Sequence, residues 1–463
     1  MTLLLLALFA CGTQGPAAPP SGAVCPTPCA SDSATPPSGS PTGDTGPAPL
    51  AEVFAVGAWA HANFGASIAT GDWDGDGLDE VVVGAPSLSS PLYDYDEWRD
   101  GGAVVLLEED LTGPTVLRGG LAARSAGERV LLVPSPEGLR LVTQEVMHDF
   151  GSIYVVDPAL PYVDDTLLEE AAEASISGAR EPGLEERVRY LSLVRGDVWV
   201  AALRYDDPSD GTGRLARVEL PFDAPTTLDA ETLGMDSPGR ALGFSVAGTA
   251  GGTVVSQQVG SESGRAHWFD ADATDWSPSQ STVSWDGPHR SSYFGHSVAA
   301  LVDEGRTLAV VSATGDDSDY PRGGRVYVLD PDAADPSLAG AVATIHAGEA
   351  GSFMGYALLP GDFDGDGIDD LVVSAPADPY TSDDPGAVYA FRGPLRGDLT
   401  PADADWAWLG AQDRELTGSA LASGDFDGDG ALDLLIGSLG YDAPGAEEAG
   451  RVVRVLNTEM GWN

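Results

Sequence analysis

Three stretches of this chain set acidic side chains on alternate residues, a pattern that suits a hard cation. They read GDWDGDGLDE at 71–80, GDFDGDGIDD at 361–370 and GDFDGDGALD at 424–433. With the first Asp as position 1, Asp72, Asp74, Asp76 and Glu80 hold positions 1, 3, 5 and 9, and the Leu78 carbonyl holds 7. The second copy offers Asp362, Asp364, Asp366, the Ile368 carbonyl and Asp370. The third offers Asp425, Asp427, Asp429, the Ala431 carbonyl and Asp433. Gly77, Gly367 and Gly430 at position 6 permit the bend that brings alternate carboxylates together. Several oxygen ligands at this spacing fit Ca²⁺ better than Mg²⁺, which takes fewer protein ligands in a stricter octahedron, so about three Ca²⁺ ions are expected. An EF-hand would need a bidentate Glu at position 12 between helices. Val83, Val373 and Ile436 stand there instead, inside apolar runs typical of strands. The competing reading of each loop is a solvated acidic turn.

The loops sit inside a longer repeat. FGASIATGDWDGDGLDEVVVGAP (64–86), MGYALLPGDFDGDGIDDLVVSAP (354–376) and TGSALASGDFDGDGALDLLIGSL (417–439) share one layout, and a Gly-led alternating strand follows each. Four further units keep the skeleton without the acidic loop: 294–314 and 242–260 clearly or fairly, 129–145 and 187–203 weakly. The Gly-strand recurs at 102, 151, 213, 264, 324, 386 and 450. Short strands at a period of 49 to 64 residues argue for an all-β fold, a seven-bladed β-propeller with four strands per blade. A fourth strand precedes the next unit at 115–119, 174–178, 282–287, 343–348 and 406–410. The last unit lacks room for one, and residues 51–59 are expected to supply it, so that the N-terminal strand closes the last blade.

The FG dipeptide, the D-x-D-G-D-G loop and VVVGAP within one unit resemble the FG-GAP repeat of the integrin α-subunit propeller. The resemblance covers about residues 51–457 and is strongest in units one, six and seven. It implies a seven-bladed propeller with Ca²⁺ in such loops on one face and extracellular partners on the other. Successive antiparallel strands place the long loops at 87–101, 315–323, 377–386 and 440–450 opposite the acidic ones. Tyr93, Tyr95, Trp98, Tyr320, Tyr380 and Tyr441 on those loops are the candidate partner-binding residues, since aromatic rings on loops suit protein or sugar recognition. The competing reading is that these rings pack the loops.

The charge narrows the partners. There are 72 acidic residues against 23 basic ones, all Arg, for a net charge of −49, which repels nucleic acid and anionic lipid. Residues 3–10 form a short apolar run ending LFAC, so 1–11 read as a signal peptide with a lipobox-like end and Cys11 as the lipidation site; plain secretion is the alternative. Residues 12–50, rich in Pro, Gly, Ser and Thr, read as a tether holding Cys25 and Cys29, and 458–463 as a tail. The expected location is the cell surface or outer membrane, with the membrane met only through the lipid. The near-matches to a nucleophile elbow at 65–69, 243–247 and 295–299 fall at one point of three repeats, where strand alternation explains them. The expected function is therefore a non-catalytic, calcium-stabilised binding or adhesion protein for an extracellular protein or glycan. The alternatives are a surface or secreted carbohydrate-active hydrolase or lyase, and a structural surface-assembly component.

Overall fold

A computed structural model describes residues 53–462, apart from 58–59, 88–100, 120–124, 136, 147–150, 164–165, 178–179, 182–183, 195–196, 205–212, 219–225, 228–230, 235–240, 259–262 and 378–382; within 176–241 it describes backbone only. Among the described residues the regular secondary structure is almost entirely strand, arranged as seven antiparallel-cored sheets in the manner of a β-propeller. Each sheet follows one sequence repeat. The first strands are Ser67–Gly71, Val130–Ser135, Leu184–Val194, Ala241–Thr249, Phe294–Asp303, Leu358–Gly361 and Thr417–Gly424. Each of these strands touches the first strand of the next sheet, and that of the seventh touches that of the first. The weak repeats at 129–145 and 187–203 form sheets like the others.

The N-terminal strand Val53–Val56 pairs antiparallel with Arg451–Val455, adding the fourth strand of the seventh sheet. Four sheets depart from the four-strand expectation by holding a fifth strand. In three of them it is a short parallel addition from a later connection: Thr166–Leu167 on Thr115–Arg118, Thr226–Thr227 on Ala174–Ser177, and Gly397–Leu399 on Ala343–His346. These additions cover outer edges that would otherwise present unpaired amides. No hydrophobic period marks two- or three-residue strands, so the sequence does not announce them.

The core lies between sheets. Val81, Val83 and Val105 of sheet one pack with Leu435 and Val452 of sheet seven, and Val82, Val104 and Leu106 pack with Leu132 and Leu141 of sheet two. The second strands Glu80–Ala85, Asp370–Ala375 and Asp433–Ser438 are buried along their whole length. Both of their faces meet a neighbouring sheet, which explains apolar runs without alternation. The FG dipeptide makes a second joint. Phe64 bridges to Gly450 in the preceding unit, as Ala126 does to Gly102, Met354 to Gly324 and Thr417 to Gly386. Gly65 has φ +92°, and a Cβ there would meet the Arg451 carbonyl oxygen at 2.6 Å. Only glycine meets both demands.

The segment expected as a tail is packed instead. Asn457–Met460 forms a one-turn helix, and Met460 and Trp462 are buried between sheets six and seven. Their apolar side chains follow a strand too closely for a spacing argument to separate them from a frayed end.

Candidate functional site

Each acidic stretch closes a β-hairpin. Gly71 pairs with Glu80, Gly361 with Asp370 and Gly424 with Asp433, so residues 72–79, 362–369 and 425–432 join the first and second strands of sheets one, six and seven. Position 9 is thereby the first residue of a buried strand, and its carboxylate is buried in all three copies. Asp74, Asp76, Asp366, Asp427 and Asp429 stand exposed at the tips.

One hydrogen-bond pattern recurs. The position-9 carboxylate accepts the position-2 amide: Trp73 N–H donates to Glu80 (2.9 Å), Phe363 to Asp370 (3.0 Å) and Phe426 to Asp433 (3.1 Å). The position-1 carboxylate accepts the glycine amide at position 6, from Gly77 to Asp72 (3.1 Å), Gly367 to Asp362 (2.9 Å) and Gly430 to Asp425 (2.9 Å). The amides of Leu78, Ile368 and Ala431 donate to Asp76, Asp366 and Asp429. The loop backbone thus coils around its own carboxylates, with Gly77, Gly367 and Gly430 left-handed at φ +98°, +87° and +84°.

The coil brings like charges together. Oxygens of Asp72, Asp74, Asp76 and Glu80 lie within 4.8 Å of one another, as do those of Asp362, Asp364 and Asp366, and of Asp425, Asp427 and Asp433. Asp370 adjoins the second group with its oxygens on the Phe363 and Gly393 amides, and Asp429 adjoins the third with an oxygen on the Ala431 amide. Burial pushes Glu80 up to about 7 and Asp370 and Asp433 up to about 6; the neighbouring Asp carboxylates add to this, and the amides they accept oppose it. In the second loop the Asp362 Oδ1 is buried without a hydrogen-bond partner, where Asp72 and Asp425 accept from Gly75 and Gly428. A buried acceptor lacking a donor, within an all-oxygen set of net negative charge, fits a calcium-sized cation.

Two loop positions carry structure that alternate-acid counting overlooks. Position 2 is always aromatic. Trp73 packs with sheet two, Phe363 with sheet seven and Phe426 with sheet one, so each loop is anchored to the next unit. Position 8 reaches the other way. Asp79 exchanges two bonds with Asp425, its carboxylate accepting the Asp425 amide and its own amide donating to the Asp425 carbonyl, both 2.9 Å. Asp369 does the same with Val302 of sheet five. The aromatic at position 2 recurs visibly in the sequence and could have been found there; the partner of position 8 belongs to another repeat and could not.

Asp79 therefore ties a candidate ligand of the last repeat to the first. Asp79→Ala is expected to destabilise by about 1–2 kcal/mol, because the half-buried Asp425 amide loses its acceptor. Asp79→Asn, which keeps an oxygen there, should lose less than half as much. Urea titrations of the three proteins in calcium would check this, and equal losses for both variants would refute the bond's role.

The aromatic candidates divide. Tyr93, Tyr95, Trp98 and Tyr380 lie outside the described residues, as does Cys11. Tyr320 is exposed. Tyr441 is half-buried beneath the Arg451 guanidinium, 4.6 Å from its ring centre, so part of its surface is already engaged. Arg451 is itself held by the buried Glu415. Of the serines in the elbow-like stretches, Ser67 donates to the Gly127 carbonyl (2.8 Å) and Ser245 accepts the Val298 amide (3.1 Å), both joints between sheets.

The FG-GAP repeat family matches residues 64–107, 354–391 and 417–453, the three units that hold the acidic hairpins. The chain carries three FG-GAP repeats. Integrin alpha-PS2 of Drosophila melanogaster is 34% identical over 113 residues, which is 23% of this chain and 7% of that protein, so the chain spans a small part of the relative it matches. Among solved structures, the Dos1 propeller aligns at 10% identity over 86% of this chain and 92% of its own, with TM-score 0.43. The computationally designed Ika8 protein aligns at 14% identity over 87% and 98%, with TM-score 0.41. In the FG-GAP units the FG dipeptide is the inter-sheet joint at Phe64 and Gly65, and the loop between FG and GAP is the acidic hairpin. No helix among the described residues is long and apolar enough to cross a membrane, which says nothing of strands.

Proposed function

We propose that this chain is a calcium-stabilised surface protein of the integrin-α-like kind, binding an extracellular protein or glycan without catalysis. Its seven sheets form a closed ring whose last blade is completed by Val53–Val56. The supporting contacts run from each first strand to the next and back to the start. Ca²⁺ takes the carboxylates at positions 1, 3, 5 and 9 and the carbonyl of Leu78, Ile368 or Ala431 in each loop. Cys11 carries the lipid and residues 12–50 the tether.

One observation carries the reading: the carboxylate hairpins occur in the FG-GAP units, and each grips a neighbouring unit through the aromatic ring at position 2. A cation there neutralises the repulsion among the carboxylates and stiffens one face of three consecutive blades, numbers six, seven and one. Stiff blades hold the loops of the opposite face in register, which lowers the entropic cost of binding a large partner. The loops with Tyr93, Tyr95, Trp98, Tyr320, Tyr380 and Tyr441 form the partner surface.

The test is binding of the labelled full chain to intact cells and to glycan arrays, in calcium and in chelator. Saturable binding in calcium, lost in chelator and reduced in Asp364→Ala, is expected. Calcium-independent binding, self-association alone, or turnover of a polysaccharide would each overturn the reading.

A further inference from the structure

On the edge opposite the acidic hairpins, two connections meet. One leads from Val283–Asp286 of sheet four to Phe294–Asp303 of sheet five and carries His289. The other joins Arg306–Ala313 to Arg325–Leu329 and carries Asp316 and Asp317. The His289 Nε2 lies 3.3 Å from Asp316 Oδ1 and 3.2 Å from Asp317 Oδ1. We propose that His289, Asp316 and Asp317 form a site for a first-row divalent metal ion of the Zn²⁺ class, separate from the calcium loops.

The separations support it. Ligands on a metal at about 2.1 Å stand about 3.0 Å apart at right angles and about 3.4 Å apart in a tetrahedron. The two measured edges fall between these values. The outer contacts support it too. The His289 Nδ1 lies 2.9 Å from the Arg290 carbonyl, which can only accept, so this nitrogen carries the proton. In the neutral ring Nε2 then presents its lone pair to the carboxylates, and the Asp317 amide also points at it, at 3.4 Å. The imidazole nitrogen and the two carboxylates thus converge within 4.8 Å, where a divalent cation would replace the long amide contact. Imidazole steered by a backbone carbonyl is the usual support of a metal-bound histidine.

Asp316 is held independently. The Tyr327 hydroxyl donates to its Oδ2 at 3.2 Å, Arg325 stands 3.9 Å from that same oxygen, and the Ser318 amide donates to Oδ1 at 2.8 Å. These contacts orient Oδ1 toward His289. The Asp316 side chain is 1% exposed, whereas His289 is 30% and Asp317 67% exposed, which gives an ion a buried anchor and an open entry. A nitrogen ligand disfavours Ca²⁺, and three protein ligands leave at least one coordination position for water or another donor.

The rival arrangement is a protonated His289 in an ion pair with both aspartates. Calorimetric titration of Zn²⁺ into the full chain, in excess Ca²⁺ near pH 7.5, separates the two. The expected result is a saturable site that is absent in His289→Ala and at least ten-fold weaker in Asp317→Asn. Asp317 is exposed, so its substitution leaves the fold in place. Co²⁺ should give visible absorption bands that vanish with His289→Ala. Equal Zn²⁺ stoichiometry and affinity in the wild type and both variants would overturn the site. Because calcium is saturating throughout, that failure would leave the calcium reading untouched.

Discussion

Removing calcium is expected to lower the melting temperature of this protein more than any single substitution. With free Ca²⁺ at about 100 times Kd, each occupied site adds about 2.7 kcal/mol, so three sites add about 8 kcal/mol if independent. At about 1 °C per kcal/mol for a folded unit of this size, the fall is on the order of 10 °C. Asp74→Ala, Asp364→Ala and Asp427→Ala should each abolish about a third of the calcium increment, and Mg²⁺ should replace little of it. Differential scanning calorimetry in calcium, magnesium and chelator measures all of this. An unchanged melting temperature would reduce the loops to acidic turns.

The same experiment has a pH signature. Without metal, burial raises Glu80 to about 7 and Asp370 and Asp433 to about 6, above their ordinary 4.5 and 3.8. A group whose folded pKa is raised contributes stability that is present below its unfolded pKa and lost as pH rises through the folded one. The metal-free protein should thus be more stable near pH 4.5 than near pH 7.5 as far as these groups decide. The calcium increment should be largest at neutral pH, where all three are ionised. A calcium increment that grew toward acid would contradict the assignment.

Phe363→Ala is expected to produce the largest loss of any single substitution, about 3–5 kcal/mol. Phe363 is 0% exposed and sits among Val372 and Val388 of its own sheet, Leu434, Ile436 and Val453 of the next, and Trp462. Its ring meets the Trp462 ring edge-on at 6.0 Å. Truncation leaves a cavity between two sheets that strand pairing prevents from collapsing. The Phe363 amide also orients Asp370, so calcium affinity at the second loop should fall as well. Phe363→Leu should cost less than half as much, since it keeps apolar volume in the gap. Urea unfolding at saturating and zero calcium measures both effects, and a loss under about 1 kcal/mol would show that the loop is not anchored through this ring.

Much of this architecture was legible because it repeats. The spacing of Asp72, Asp74, Asp76 and Glu80, written three times, points to the hairpins and to their acid-lined interiors. The Gly-strands locate the sheets, including the two whose first strands match weakly, because a period survives where single residues drift. The strand Val53–Val56 was legible from a shortage, since the last repeat showed three strands where the others showed four.

Other features belong to the folded chain alone. Asp79 and Asp425 are 346 residues apart, and only the return of the seventh sheet to the first sets one beside the other. Thr166–Leu167 and Gly397–Leu399 become strands because a neighbouring edge offers free amides, a cause outside their own residues. Trp462 looks like part of a frayed end until sheets six and seven leave an apolar gap of its size. His289 and Asp316 lie on connections of different units, and neither segment carries a metal-ligand spacing by itself. Local spacing reveals what a chain segment does with its own neighbours. Contacts between distant repeats depend on the angle at which sheets pack, and that is decided by the whole core together.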